Sequence, residues 1–266
     1  MTTQQLIRSF ASASAGARRR IVVVGGNGFV GSAVVRAAVA RDCDVTVVSR
    51  SAPSAPLAPG VTYVQGDMLA PAESEGGAAW RAALSGADAV VSSVGGFGSD
   101  EVMERVCGDT NVNAARAAAE AGVHKFVFIS AAPVPHKDDM PSFILGGYLR
   151  GKARAEAAVE ELFPGGAGAS LRPGFVYGPR EVRPGLTLPL QLVGAPLAAV
   201  LSKTPLGALA HIPGLGPLLF AMPLSDDAVG VAAVDAALAA NADTKAAYEC
   251  GDIKAKYDAF LDAGGF

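Results

Sequence analysis

The sequence predicts an α/β fold with a doubly wound parallel sheet. Three observations carry that expectation. Short β-branched runs recur along the chain and alternate with longer stretches of helical character. A cluster of glycines follows the first of these runs directly. Half of the 266 residues are hydrophobic, enough for a sizeable core and too many for a disordered chain.

The elements follow in order. Residues 21–24 form a β-branched run suited to a strand buried on both faces. Gly25-Gly26-Asn27-Gly28 breaks it, and residues 29–41 read as a helix of small and apolar side chains. Residues 45–48 and 61–64 are the second and third strands, separated by a loop marked by Pro53, Pro56, Pro59 and Gly60. A helix over 78–84, a strand over 89–91, an Ala-rich helix over 102–120 and a strand over 126–129 come next. The spacing then predicts a helix over 149–162, ended by Pro164-Gly165-Gly166, and a sixth strand over 169–171. Beyond Arg172 the character changes. Lys203 is the one charge between residues 184 and 225, and Gly and Pro interrupt every apolar run before it reaches membrane-spanning length. Asp226-Asp227 opens a helix to residue 240, capped by Ser225 or Asp226, with both carboxylates at its positive end. A last strand over 248–250 and a closing turn over 257–261 complete the reading.

Composition excludes several functions. The formal net charge of −3 and the lack of a basic, aromatic-studded patch argue against nucleic acid. Cys43, Cys107 and Cys250 stand far apart and read as ordinary thiols in a reducing compartment. With His124, His136 and His211 equally scattered, no metal site is expected. The first nineteen residues lack acidic side chains and carry Arg8, Arg18 and Arg19. They read either as a surface tail or as an organellar targeting segment. Arg8-Ser9-Phe10 before Ala11-Ser12 resembles a mitochondrial matrix-peptidase cleavage pattern, and plastid transit peptides overlap in composition.

Gly25, Gly28 and Gly31 give G-x-x-G-x-x-G between a strand and a helix. The first allows a tight turn, the second a close approach of backbone to pyrophosphate, and the third close packing of helix on strand. The bare helix amino end offers N–H groups and a favourable dipole to phosphate. This is a dinucleotide-type site, and the fold is an NAD(P)-binding Rossmann fold with a small carboxyl-terminal lobe. The organisation expected is a targeting segment or tail over 1–19, the nucleotide core over 20–183 and an apolar small lobe over 184–266. Ser49-Arg50-Ser51 ends the second strand where an NAD site carries an acidic residue, so NADP is expected over NAD, with Arg50 on the 2′-phosphate. Asp67 reaches the adenine edge or caps a local turn.

Tyr148 and Lys152, four apart on a helix, share a face. An ammonium beside a phenol lowers the phenol's pKa, and such a phenol exchanges a proton with a substrate oxygen during hydride transfer. Ser130, after the fifth strand, stands on the same sheet edge and can orient that oxygen. These three are the candidate catalytic residues.

With these motifs, Gly66-Asp67, Asn111-Val112-Asn113 and Arg172-Pro173-Gly174, the chain resembles an extended or atypical short-chain dehydrogenase/reductase over roughly residues 20–252. The stretches Val94-Gly95-Gly96-Phe97-Gly98, Phe128-Ile129-Ser130-Ala131-Ala132 and Tyr148-Leu149-Arg150-Gly151-Lys152 resemble a narrower subgroup. That subgroup holds the mitochondrial coenzyme Q accessory protein, the complex I 39-kDa accessory subunit and plant organellar homologues. The resemblance implies that Gly25, Gly28 and Gly31, with Phe29 and Val30 at the helix entrance, bind the phosphates. It places Ser49 and Arg50 at the adenosine end, Gly95 and Gly96 beside the cofactor, and Arg172, Pro173 and Gly174 at the nicotinamide. It implies an NADPH-dependent reductase of a hydrophobic carbonyl or quinone-like molecule, in the mitochondrial matrix or at the inner membrane. The alternative it implies is a non-catalytic NADPH-binding subunit of a respiratory or coenzyme Q complex. The apolar stretch 186–220 then docks on a membrane or partner, or roofs the cleft.

Overall fold

The computed structural model describes residues 18–52, 58–132, 142–183, 186–189 and 223–265. The leader and nearly all of the apolar stretch 186–220 therefore lie outside the described residues.

Seven parallel strands make the main sheet. They are β1 (Arg20–Val24), β2 (Asp44–Ser49), β3 (Thr62–Gln65), β4 (Ala89–Ser92), β5 (Lys125–Ile129), β6 (Gly168–Arg172) and β11 (Ala247–Glu249), in the order β11-β6-β5-β4-β1-β2-β3. The short strands β7 (Val176–Tyr177) and β10 (Leu224–Ser225) pair with each other, and β8 (Pro179–Arg183) pairs antiparallel with β9 (Leu186–Pro189). The main sheet reverses direction of winding between β1 and β4, so a crevice opens at their carboxyl ends, where doubly wound folds bind ligands.

Alternation sorts the strand side chains onto two faces. Ile21 and Val23 join Val45, Val47 and Val127 in one core, under helices α1 (Phe29–Ala40), α6 (Asp226–Leu238) and α7 (Cys250–Asp262). Val22 and Val24 join Val48, Val90, Phe126 and Phe128 in the other core, which α2 (Glu75–Ala83), α4 (Thr110–Glu120) and α5 (Ser142–Leu162) cover. Each fully buried Val or Phe removes about 1.5–3 kcal/mol of side chain from water, which is why both faces need helices.

The sequence expectation differs from the structure in instructive ways. The helix expected over 102–120 is three pieces: α3 (Asp100–Glu104), a π-turn over Arg105–Asp109, and α4. The helix expected from residue 149 begins at Ser142 and kinks at Leu145 (φ −137°, ψ 15°), so Tyr148 sits just past an interior restart. The closing turn over 257–261 belongs to helix α7, whose capping box joins Glu249 and Asp252. Ser225 caps α6 by accepting from the Ala228 N–H at 3.1 Å. Helix α6 is bolted to the glycine-loop helix: Arg36 pairs with Asp226 (2.8 Å) and Asp227 (2.7 Å), and Arg41 with Asp235 (2.6 Å). Residues beyond 223 thus supply the sheet's edge strand and a covering layer of the same core.

Candidate active site

The glycine loop is held by its own backbone. Gly25 has φ +81°, its N–H donates to the Val48 carbonyl (2.8 Å), and its own carbonyl accepts from Gly28 N–H (2.9 Å). A Cβ on Gly31 would lie 2.2 Å from the Gly25 carbonyl oxygen, so only glycine lets α1 pack this closely. Gly28 is different. It stands at the amino end of α1 in extended conformation, with no side chain capping the helix, and its added Cβ would meet only the Gly25 carbonyl, at 3.1 Å. The start of α1 therefore has no side-chain cap, the arrangement that suits a phosphate at a helix amino end. Phe29 and Val30, both half-buried, begin that helix.

At the carboxyl end of β2, Asn27 donates from Nδ2 to the Ser51 carbonyl (2.7 Å), and its N–H approaches Ser49 Oγ at 3.4 Å. Its Oδ1 is buried without a hydrogen-bond partner. A buried acceptor in that state calls for a donor. Arg50 is exposed, and its carbonyl accepts from Gln65 Nε2 at 3.0 Å. Asp67 Oδ1 accepts from Leu69 N–H at 2.9 Å, so this carboxylate caps its local turn.

The two sides of the crevice meet at the end of β4. Ser93 Oγ donates toward the Val24 carbonyl (3.1 Å) and lies 3.3 Å from that of Gly25. Beyond it, Val94 and Gly95 run beside Lys152. Lys152 is 5% exposed, and its Nζ donates to the carbonyls of Ile129 (2.6 Å) and Val94 (3.2 Å), tying together the ends of β5 and β4. Among the described residues no carboxylate forms an ion pair with it, although Glu156 favours its charge from a distance; the ring faces of Phe128 and Tyr148 lie 4.6 and 5.7 Å away. Burial lowers its pKa to about 8. A Cβ on Gly95 would stand 3.5 Å from this nitrogen, so the glycine keeps the approach to it open. Gly96 gives its carbonyl to the Cys107 thiol (3.5 Å) in the π-turn. Asn111 props the same corner by accepting from Ser92 Oγ (2.6 Å) and donating to the carbonyls of Cys107 (2.8 Å) and Val94 (3.2 Å).

Tyr148 stands one helical turn before Lys152 and stacks on Phe97, with ring centroids 5.4 Å apart and planes at 11°. The expected lowering of its pKa is overturned: burial pushes the phenol up to about 12. The ammonium faces the ring and two carbonyls, so desolvation outweighs its charge. Ser130 is 4% exposed; its N–H donates to the Leu171 carbonyl (2.7 Å), and its peptide with Ile129 is the one Lys152 holds. Lys152 therefore joins the backbone beside Ser130 to the Tyr148 ring at one corner.

Arg172 goes elsewhere. Its guanidinium grips Glu156 (2.6 Å) and Glu249 (3.1 Å), which raise its pKa and turn it into a tie across α5, β6 and β11. Pro173 is buried, its carbonyl taking the Ala132 N–H at 2.8 Å, and Gly174 follows half-buried. The sequence motifs that contain Asn27 and Phe97 assign no role to either. An asparagine among phosphate-loop glycines and an aromatic between Gly96 and Gly98 were the available signals.

The family model for NAD(P)H-binding proteins matches residues 25–176, more than half of the chain. A chloroplastic protein of Arabidopsis thaliana, itself uncharacterized, is 40% identical over 223 residues, covering 82% of this chain and 71% of its own. Among solved structures, the Bordetella bronchiseptica enzyme WbmF in complex with NAD+ aligns with TM-score 0.56 at 17% identity, over 92% of this chain and 79% of that one. MoeE5 in complex with UDP-glucose and NAD aligns with TM-score 0.55 at 19% identity, over 82% and 72%. The chain spans 58% of a solved UDP-galactose 4-epimerase, at 23% identity and TM-score 0.49.

Two expectations are corrected here. The dinucleotide in WbmF and MoeE5 is NAD, which overturns the preference for NADP. Beside the end of β2, Asn27 Oδ1 is a buried acceptor without a partner, while Arg50 lies exposed. The quinone-like partner with its membrane complex is overturned as well, because the ligand beside NAD in MoeE5 is a nucleotide-sugar. None of these relatives is named as a coenzyme Q or complex I protein, while the Arabidopsis thaliana one is a plant organellar protein. The seven-stranded doubly wound sheet, the glycine loop at its switch point and the matched model agree: the chain belongs to the NAD(P)H-binding family, with the fold of the extended reductases and epimerases.

Proposed function

We propose that this protein is an NAD-dependent oxidoreductase that interconverts a secondary alcohol and a carbonyl on a polar substrate. The observation that carries the reading is the convergence of Tyr148, Lys152 and Ser130 beside Gly95, on the side of the crevice facing the glycine loop. The residues fit the cofactor: a helix amino end without a side-chain cap, an orphaned acceptor in Asn27 and an open approach at Gly95. Gly25, Gly28 and Gly31, with Phe29 and Val30, would hold the pyrophosphate, and Asn27 with Ser49 the adenosine ribose. Gly95 and Gly96 would flank the nicotinamide end. Bound NAD supplies a ring that accepts or returns a hydride.

Tyr148 carries the proton in this reading. A phenol near 12 stays protonated at neutral pH, so it acts first as an acid toward a developing alkoxide. Lys152 has three donors when charged and spends two on carbonyls; the third remains for a ligand hydroxyl. Ser130 would orient the substrate oxygen. A nucleotide-sugar is the substrate class to test first, on the strength of the MoeE5 ligand. The composition of residues 1–19 and the chloroplastic relative support an organellar, plastid location.

A second reading, nucleotide binding without turnover, is favoured by the desolvated phenol beneath Phe97. Absorbance at the NADH maximum separates the two, with UDP-glucose and simple secondary alcohols offered alongside NAD. Reduction lost in Tyr148→Phe supports the enzyme. Tight NADH binding with no turnover on any substrate supports the binding protein.

A further inference from the structure

Tyr148 lies just beyond the kink at Leu145, where helix α5 restarts, and the restart is fastened from outside the helix. The Asp100 carboxylate, at the amino end of α3, accepts from Gly147 N–H (2.6 Å) and also pairs with Arg150. Its pKa is lowered, first by Arg150 and then by the Gly147 amide. Arg150 binds Glu104 as well (3.1 Å), so α3 and α5 are pinned on both sides of Tyr148. The approach is close: a Cβ on Gly147 would stand 2.0 Å from the Asp100 carbonyl oxygen. Three residues before Asp100, Phe97 lays its ring flat on Tyr148. The other face of Phe97 is open, the residue being 68% exposed.

We propose that Phe97 and Asp100 are positioning residues for Tyr148: Phe97 covers one face of the phenol ring, and Asp100 caps the restarted helix from the neighbouring element. The β4–α3 segment thereby sets where the phenol stands and how much water reaches it. Gly96 and Gly98 flank Phe97, so the covering ring belongs to a segment with few side-chain anchors of its own. The proposal rests on the reading of Tyr148 as the proton carrier, and its test does not require turnover.

The test is nitration of the full chain by tetranitromethane at mildly alkaline pH, with modified tyrosines mapped by mass spectrometry. Nitration proceeds through phenolate, so it reads both the burial and the acidity of each ring. In the wild type, Tyr148 reacts slowly. In Phe97→Ala it reacts about tenfold faster, as a one-unit fall in phenol pKa gives tenfold more phenolate. Phe97→Trp restores the slow rate. Asp100→Ala accelerates Tyr148 as well, while Asp100→Asn, which keeps the acceptor for Gly147, falls between. Tyr248, 2% exposed and remote in the second edge of the sheet, is the internal control for folding and stays unreactive throughout. Equal Tyr148 rates in wild type, Phe97→Ala and Asp100→Ala, with Tyr248 protected, overturn the proposal. If Phe97→Ala exposes Tyr248, the Asp100 pair of variants decides by the same criterion. If the nitration pattern holds and no substrate is ever turned over, the positioning stands and the enzymatic reading fails.

Discussion

The two sides of the crevice are built by different means. On the nucleotide side the shape is in the backbone. Gly25 turns at positive φ, Gly31 leaves no room for a Cβ, and Gly28 starts α1 without a side-chain cap. On the substrate side the shape is in side chains: Lys152 laces two strand ends, Phe97 lies over Tyr148, and Asp100 caps a kinked helix. Backbone geometry survives most substitutions elsewhere, whereas a side-chain arrangement is lost with any one partner. Nucleotide binding should therefore be robust and the proton-transfer group easily perturbed.

The largest effect expected is at Gly31. Gly31→Val forces a Cβ onto the Gly25 carbonyl and should lower the melting temperature sharply, as overpacking costs roughly 1–3 kcal/mol or more. Gly28→Val should leave melting nearly unchanged while NADH affinity drops at least about tenfold, close to 1.4 kcal/mol. A Gly28→Val protein that unfolds like Gly31→Val would erase the distinction between a packing glycine and a binding glycine.

Next comes Lys152→Met. It removes the Lys152 donor from the Ile129 carbonyl, while the Val94 carbonyl keeps Asn111, and should cost about 1–3 kcal/mol of stability for the stranded Ile129 acceptor. The pH dependence sharpens this. The folded-state pKa of about 8 lies below the ordinary 10.5, so between those values the unfolded chain binds the extra proton. Wild-type stability relative to Lys152→Met should thus be flat below pH 8 and rise between pH 8 and 10.5. Denaturant titrations across that range would refute the account by a difference that falls.

The same contrast explains what the sequence made legible. The order of strands and helices was readable because β-branched runs and glycine breaks are local signals, and Gly25, Gly28 and Gly31 announce a backbone requirement. The fates of Arg50, Asp67 and Arg172 were not, because each is decided by partners distant in sequence or by a competing local turn. Arg172 meets Glu249, 77 residues on, and Asp67 satisfies itself two residues away. The raised pKa of Tyr148 was unreadable for the same reason: spacing places Lys152 near the phenol, but Ile129 and Val94 decide where its charge is directed.

Smaller effects discriminate at the adenosine end. Asn27→Ala should weaken NADH by roughly twofold to tenfold, the worth of one hydrogen bond. Arg50→Ala should change it by less than about twofold, as an exposed charge contributes little. Isothermal titration of both variants would reverse the assignment if Arg50 proved the more costly loss.

Trp80 offers the most direct test of the central claim, that the crevice at Gly25–Gly31 binds NAD. It is the chain's one tryptophan, fully buried with its Cβ under Gly66 after β3, close to the adenosine side. Excitation of Trp80 should give sensitised NADH emission that saturates in the wild type. It should be weaker at equal NADPH, and lost in Gly28→Val at unchanged melting temperature. Emission that never saturates, or that is identical in wild type and Gly28→Val, would contradict the account.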